Sequence, residues 1–235
     1  MTWKNVLSLF ILISSWIPCG AFASGKVDFG PCYVNMKVLQ HGKTQNTLEM
    51  YGVRGDATIQ VFPGESIVRG IVIKPSGTWA EGDGNFVSTG VSLGHYTPLG
   101  FCTPFLEDVA VTPIFGVVYS RLSTWVDYAE FGLPNLKQVT SATTPYLGID
   151  VAWQINPRWL LSGSFQYGWA AGRTHIDVLG FSKGQSTGPT CSVMLDYYIT
   201  QCWSVNAAWA YNHSLTQELH GMKVNGCRIG LGYTY

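Results

Sequence analysis

The chain has 235 residues, with 14 basic and 14 acidic side chains, and only 12% of its residues are charged. Soluble domains average about 25%. The balanced charge and the lack of a basic run exclude nucleic acid as an expected partner. With 9 Trp and 12 Tyr beside so few charges, the composition indicates a chain that contacts something other than water over much of its surface.

The first 23 residues have the pattern of a secretory signal peptide. A short polar start is followed by an apolar stretch at 6–17 and by Ala21-Phe22-Ala23, a small-x-small cleavage site. We expect cleavage after Ala23 and one mature domain, 24–235. The apolar stretch is shorter than the roughly 20 residues that a spanning helix needs. Lipid attachment at Cys19 is a less favoured alternative, because Trp16-Ile17-Pro18 suits it poorly.

The next part of the chain gives candidate strands whose register is ambiguous. They lie at about 27–40, 47–62, 66–74 and 86–96, where charges crowd and Pro63 interrupts the pattern. Counting every candidate gives ten strands in the whole chain, and merging two weak ones gives eight. We favour eight. Either even number places the mature N-terminus on the same side as the C-terminus.

From residue 109 onward the alternation of apolar and polar residues is regular, as in strands with one apolar face. The segments are 109–119, 147–155, 159–169, 191–199, 203–211 and 227–235. None of their apolar rows contains a charge. Asp150, Asp196 and Arg228 all lie on the other row, which consists mostly of Gly, Ala, Ser, Asn and Gln.

The apolar rows place their aromatic residues mainly near the strand ends. These residues are Trp153, Trp159, Trp203, Tyr233 and Tyr235 at one end, and Tyr119, Trp169, Trp209 and Tyr211 at the other. Two aromatic girdles are typical of strands that cross a membrane. A soluble β-sandwich would also alternate, but the small polar residues of the opposite row suit the lumen of a narrow barrel. The pattern therefore predicts an all-β fold, a transmembrane antiparallel up-and-down β-barrel.

The connections support this prediction. The short segments 155–159 and 199–203 are matched in length, whereas 121–144, 171–189 and 213–224 are long and polar. In bacterial barrels short turns face the periplasm and long loops face outward. We expect the last strand to run downward and to end at the periplasmic rim.

The C-terminal segment VNGCRIGLGYTY carries a family resemblance. Its apolar row is Cys227, Ile229, Leu231, Tyr233 and Tyr235, and the chain stops on that last aromatic residue. The segment resembles the C-terminal signature of bacterial outer-membrane β-barrel proteins, among them the small opacity-protein-like and porin-like barrels. This resemblance implies export to the outer membrane of a Gram-negative bacterium with help from periplasmic chaperones. It also implies that the barrel assembly machinery recognises the last strand.

The charges in the predicted lumen allow two interpretations. Asp150, Asp196 and Arg228 could form a constriction that selects small solutes, or an ion-pair network that holds the barrel shut. We favour the network, because the interior of so narrow a barrel is only about wide enough for side chains.

The mature chain keeps five cysteines, an odd number for an oxidising compartment. Cys32, Cys102 and Cys202 are expected near the periplasmic rim. They are candidates for disulfide bonds, including bonds to other envelope proteins. Cys191 and Cys227 are expected to face lipid as small apolar residues.

We therefore expect an integral outer-membrane protein that acts as a small channel, or as an envelope-structural and surface-exposed protein. Its partners would include membrane lipid and lipopolysaccharide. HExxH, CxxC, GxSxG and P-loop patterns are absent from the sequence, and we expect no catalytic residue, cofactor or metal site. One alternative is a lipid A-modifying enzyme that uses His213, Ser214, Glu218 and His220. Another is an adhesin that binds through its outer loops.

Overall fold

A computed structural model describes residues 23–61, 70–99, 108–126, 135–177, 180–218 and 220–235. In these residues ten long strands and one two-residue segment form a single antiparallel sheet. They are β1 Ala23–Gln40, β2 Lys43–Val61, β3 Ile71–Gly82, β4 Gly84–His95, β5 Thr97–Pro98, β6 Val109–Val126, β7 Leu136–Asn156, β8 Trp159–Ile176, β9 Gly180–Tyr198, β10 Trp203–Leu215 and β11 Gly221–Thr234. No helix in the described ranges is long and apolar enough to cross a membrane.

The sheet closes on itself. Each long strand pairs with the next along the chain, β5 continues the line of β4 beside β6, and β1 pairs with β11 from Lys26–Thr234 to Leu39–Gly221. The predicted antiparallel up-and-down barrel is confirmed. Of the two predicted strand counts, the described residues have ten, the alternative to the eight that we favoured.

The count of eight was wrong because β1 and β2 do not show a simple alternation. Their inward rows carry both charged residues and apolar ones, so that Asp28 and Met36 share one face of β1 and Met50 and Asp56 share one face of β2. Because apolar residues also lie on the outward rows, the period-2 signal weakens although the strands form. The structure nevertheless shows both segments as strands, because β1 and β2 pair along their whole length.

The strands rise well above the predicted membrane level on one side. β8 has 18 residues and β7 has 21, whereas a tilted spanning strand needs about 9–11. Where the structure describes them, the predicted long loops at 121–144, 171–189 and 213–224 are therefore largely strand: β6 continues to Val126, and β9 begins at Gly180. Outside lipid a strand needs no apolar row, so the polar composition of these segments did not reveal their pairing.

Side chains shape the two short turns at the opposite end. Asn156 Oδ1 accepts the backbone N–H groups of Arg158 and Trp159 at 2.9 and 3.1 Å. Thr200 Oγ1 likewise accepts the N–H of Trp203 at 3.0 Å. Both are local turns of the Asx and Ser/Thr type. The backbone N–H of Tyr235 donates to Gly25 O at 3.0 Å, so the start of β1 and the end of β11 meet at this end of the barrel.

At the other end His41 and Gly42 form the turn between β1 and β2, and both have positive φ, 49° and 76°. Two consecutive left-handed residues are what a tight two-residue hairpin turn requires. The predicted signal peptide lies outside the described residues apart from Ala23, and its cleavage stays a prediction.

Candidate functional site in the barrel interior

A charge network crosses the seam where the first and last strands meet. Lys26 Nζ on β1 lies 2.9 Å from Asp28 Oδ1 and 2.5 Å from Asp196 Oδ1 on β9. Asn206 Nδ2 on β10 donates to Asp28 Oδ1 at 2.7 Å, and Ser204 Oγ donates to Asp196 Oδ1 at 3.4 Å. The network therefore ties β1, β9 and β10 together inside the barrel.

Arg228 on β11 extends this network to β2. Its Nη1 donates to Asp56 Oδ2 at 2.6 Å and its Nη2 donates to Asn206 Oδ1 at 3.3 Å. Arg54 also holds Asp56 through Nε and Nη2, at 3.0 and 2.9 Å. Asp28, Asp196 and Arg228 are buried, so each of these charges has left bulk water and needs the partners that surround it.

A separate ion pair joins Lys74 on β3 to Asp150 on β7, at 2.5 Å. The side chains of Lys74 and Arg54 keep 31% and 41% of their exposure although both lie on inward rows. Water therefore reaches part of the interior. Each inward cation of the described residues contacts a carboxylate, and the inward charges balance. The cations are Lys26, Arg54, Lys74 and Arg228, and the carboxylates are Asp28, Asp56, Asp150 and Asp196.

The three charges predicted for the lumen, Asp150, Asp196 and Arg228, lie on inward rows, but the structure places Asp150 apart from the other two. The sequence reading missed their partners. Those partners are Lys26, Asp28, Arg54, Asp56 and Lys74. A usable signal existed, because two opposite charges at positions i and i+2 share one face of a strand, as in Lys26/Asp28 and Arg54/Asp56.

Above the charges, an apolar cluster fills the interior from one wall. It consists of Cys32, Val34, Met36, Leu48, Met50, Ala80 and Leu122, with Val38, Phe86, Met222 and Val224 packed against it. Met36 and Met50 are 1% and 0% exposed. Flexible methionine side chains suit an irregular space of this kind. The opposite wall, on β8 to β10, has small inward residues such as Ser164, Ser192 and Ala208, which are only partly buried.

The residues of the predicted aromatic girdles lie on outward rows. Trp153, Trp159, Trp203, Tyr233 and Tyr235 lie at the end with the short turns, and Tyr119, Trp169, Trp209 and Tyr211 lie toward the other end. Neighbouring rings contact each other, as in the Trp203–Tyr233 pair with centroids 4.9 Å apart. On β11 the residues Cys227, Ile229 and Leu231 continue this outward row to Tyr233, and Tyr235 follows beyond the strand end.

The cysteine prediction needs one correction. Cys32 lies in the middle of β1, opposite Arg228, and its side chain is buried in the apolar cluster rather than at the periplasmic rim. Inward burial keeps it from Cys202, which is exposed in the turn before β10. Cys102 lies outside the described residues. Cys191 and Cys227 lie on outward rows, and with Cys32 and Cys202 they are free thiols.

The residues of the alternative enzyme site do not converge as a triad requires. His213 lies on the outward row of β10, and Ser214 lies on the inward row, with its Oγ 2.6 Å from Ser186 Oγ. His220 Nε2 is 3.7 Å from Glu218 Oε2, and the His220 ring meets the His41 ring edge to face, with centroids 4.5 Å apart.

Comparison with known proteins identifies the fold. No protein-family model matches the chain, and no curated protein matches it. Among solved structures, the translocator domain of the autotransporter NalP from Neisseria meningitidis has a TM-score of 0.50 at 12% identity, covering 99% of this chain and 95% of that one. The outer-membrane protease OmpT from Escherichia coli has a TM-score of 0.46 at 12% identity, covering 93% and 99%. Ail, the attachment invasion locus protein of Yersinia pestis, has a TM-score of 0.43 at 11% identity, covering 92% and 100%.

The fold is that of bacterial outer-membrane β-barrel proteins. At these levels of identity the similarity concerns the fold alone.

Proposed function

We propose that this chain is an integral protein of the bacterial outer membrane that serves as a closed, envelope-structural barrel and presents its extended strands at the cell surface. The pairing of the interior charges carries the proposal. A channel that selects solutes leaves charges available to them, whereas Lys26, Arg54, Lys74 and Arg228 each contact a carboxylate. The buried apolar cluster supports a closed interior in the same way.

Conductance across a planar lipid bilayer tests this function. We expect the purified wild-type protein to give no steady current. Met36→Ala combined with Met50→Ala removes side chains from the centre of the apolar cluster and should produce a measurable current. The matched control is Met36→Leu with Met50→Leu, which nearly conserves volume and should stay closed. A steady wild-type current at physiological salt would contradict the proposal.

A narrow solute channel is the second candidate. The exposure that Arg54 and Lys74 keep inside the barrel favours it, because that exposure marks hydrated interior space. A channel along this space would conduct in the wild type, and Lys74→Gln with Asp150→Asn would change its ion selectivity. The same bilayer measurement therefore separates the two functions.

The further expectations follow from residence in the outer membrane. A cleaved signal peptide would give a mature N-terminus at Ser24 by protein sequencing. An outer-membrane enzyme would change lipid A composition, and His213→Ala or Ser214→Ala would abolish that change. An adhesin would lose binding to host material when the segment 121–144 is shortened, while insertion in the membrane continued.

A further inference from the structure

Cations form a row on the outward surface beyond the aromatic girdle of Tyr119, Trp169, Trp209 and Tyr211. The register places Arg121 of β6 opposite Ser141 of β7, Ser141 opposite Arg173 of β8, and Arg173 opposite Lys183 of β9. All four belong to outward rows, and the three cations are exposed. We call these four residues the basic row. Three cations therefore lie in one row across four neighbouring strands, with Ser141 between Arg121 and Arg173.

This arrangement works against the stability of the sheet. Directly opposite residues on antiparallel strands have Cβ atoms about 4.5–5.5 Å apart, and like charges at that distance are destabilising. Arg173 and Lys183 are such a pair. Among the described residues no carboxylate lies within ion-pair distance of either one, or of Arg121. The nearby Asp177 lies 3.6 Å from His175 instead.

Ring contacts nevertheless hold part of the basic row in place. The Arg173 guanidinium lies 5.5 Å from the centre of the Phe181 ring, and His175 stacks on the same ring with centroids 4.4 Å apart. A cation–π contact of this kind orients the guanidinium without neutralising it. The positive charge is thus positioned but not compensated by a carboxylate of the described chain.

The height of the basic row indicates what could compensate it. Tyr119 lies two residues below Arg121 on the same outward row, and Trp169 lies four residues below Arg173. At about 3.3 Å per residue these separations are about 7 and 13 Å along the strands. Aromatic girdles mark the membrane interface. The basic row therefore lies just outside the hydrocarbon, at the end of the barrel opposite the two chain ends.

A second set of strands repeats the pattern. Lys37 of β1 lies opposite Lys223 of β11, which lies opposite His213 of β10. These residues are also outward. Lys37 lies four residues along β1 from Tyr33, and His213 lies four residues along β10 from Trp209 of the girdle. A like-charge pair beyond the outward aromatic residues in two parts of the barrel indicates a common anionic environment around the outer rim.

We propose that the basic row binds the phosphate groups of the phosphorylated glycolipid of the outer leaflet, lipid A. The proposal rests on the outer-membrane residence proposed above. Guanidinium groups bind phosphate oxygens in a bidentate manner. Arg121 and Arg173 flank Ser141, so their side chains can converge on one phosphate above the Ser141 hydroxyl. Lys183, one strand further, is placed for a second phosphate of the same headgroup.

The test measures unfolding of the full folded chain in micelles of a neutral detergent, with and without added lipid A. Lipid A should raise the unfolding midpoint of the wild type, and lipid A stripped of its phosphates should not. Arg173→Gln with Lys183→Gln should weaken the apparent affinity at least tenfold. The matched control, Lys43→Gln with Arg158→Gln, removes the same charge from exposed positions in or beside turns and should bind as the wild type does.

The sign of the effect without lipid provides an independent check. In neutral micelles Arg173→Gln with Lys183→Gln should be at least as stable as the wild type, because a like-charge pair has been removed. Equal stabilisation by dephosphorylated lipid A, or an unchanged affinity of this variant, would overturn the proposal. An equal response to phosphatidylglycerol would reject the glycolipid as the specific ligand. A chain that dissolves without detergent and shows no heat-modifiable mobility would instead refute the membrane function itself.

Discussion

Lys26 is the shared cation of two buried carboxylates, and its replacement by methionine tests the structural role of the interior network. Its Nζ lies 2.9 Å from Asp28 Oδ1 and 2.5 Å from Asp196 Oδ1, and Asp196 is 0% exposed. Removal of one partner of a buried ion pair costs about 3–5 kcal/mol, because the remaining charge is left uncompensated. Here two carboxylates are left facing each other.

We therefore expect Lys26→Met to lower the free energy of unfolding by about 3–5 kcal/mol. Each 1.4 kcal/mol changes the ratio of folded to unfolded protein by a factor of about ten. The measurement is urea unfolding of the barrel in lipid vesicles, followed by tryptophan fluorescence and by the loss of heat-modifiable mobility on gels. Lys43→Met makes the same chemical change at an exposed position beside the His41–Gly42 turn and should cost less than about 0.5 kcal/mol.

The triple variant Lys26→Met, Asp28→Asn and Asp196→Asn separates charge from packing. Replacing a whole buried charge cluster by neutral groups of similar size is often neutral or stabilising. The amide oxygen that Asp28→Asn introduces could still accept the hydrogen bond that Asn206 Nδ2 donates to Asp28 in the wild type. The triple variant should regain most of the lost stability. If Lys26→Met unfolds at the same urea concentration as the wild type, the network does not hold the seam and the argument for a closed barrel weakens.

Three further predictions concern the seam, the lipid-facing surface and the cysteines. Gly30→Ala should impair closure of β1 on β11, because the added Cβ would collide with the backbone oxygen of Ile229. The folded fraction after refolding measures this effect. Ala210→Ser, also on an inward row, is the control. Ile149→Arg should cost about 2–4 kcal/mol in lipid vesicles because Ile149 is 49% exposed on the apolar band, whereas Gln185→Arg near the outer rim should cost about 0–1 kcal/mol. Equal costs would place the membrane elsewhere. Cys202→Ser should remove any disulfide-linked band seen on non-reducing gels of intact envelopes, whereas Cys32→Ser should leave that band unchanged because Cys32 is buried in the interior.

The part of the fold that sequence predicts well is the part where lipid determines the pattern. On β7, β8, β10 and β11 the outward positions within the predicted membrane band are apolar or glycine, and the inward positions are mostly small or polar. Trp153 to Leu147 and Trp203 to Trp209 show this directly. Each backbone polar group in lipid must be paired within the barrel, so the alternation alone leads to a closed sheet.

The parts that sequence reading missed are those where no such constraint acts. On β1 and β2 the inward row serves two purposes, since Asp28 and Asp56 join the ion-pair network while Met36 and Met50 fill the apolar cluster. The outer ends of β6 to β9 lie beyond the predicted hydrocarbon layer, so neither face needs an apolar row. Arg121 and Lys183 were therefore predicted to lie in loops, although both are paired within regular strands. The interior ion-pair network and the basic row both depend on which residues of distant strands lie opposite each other. The local sequence pattern does not determine that register.

The unequal walls of the barrel follow from its strand number. Barrel diameter grows with the number of strands. The interior of an eight-stranded barrel is just wide enough for side chains to fill, so ten strands enclose more space than side chains of the same size would fill. Small residues on every inward row would leave an open pore. On β8 to β10 the inward rows are small, as at Ser164 and Ala208, while β1, β2 and β6 contribute Met36, Met50 and Leu122. Since Met36 and Met50 are the two largest fully buried side chains of the described residues, shortening both should open the interior without breaking the ladders. That is why Met36→Ala with Met50→Ala distinguishes a plugged barrel from a channel more directly than removal of a charge does.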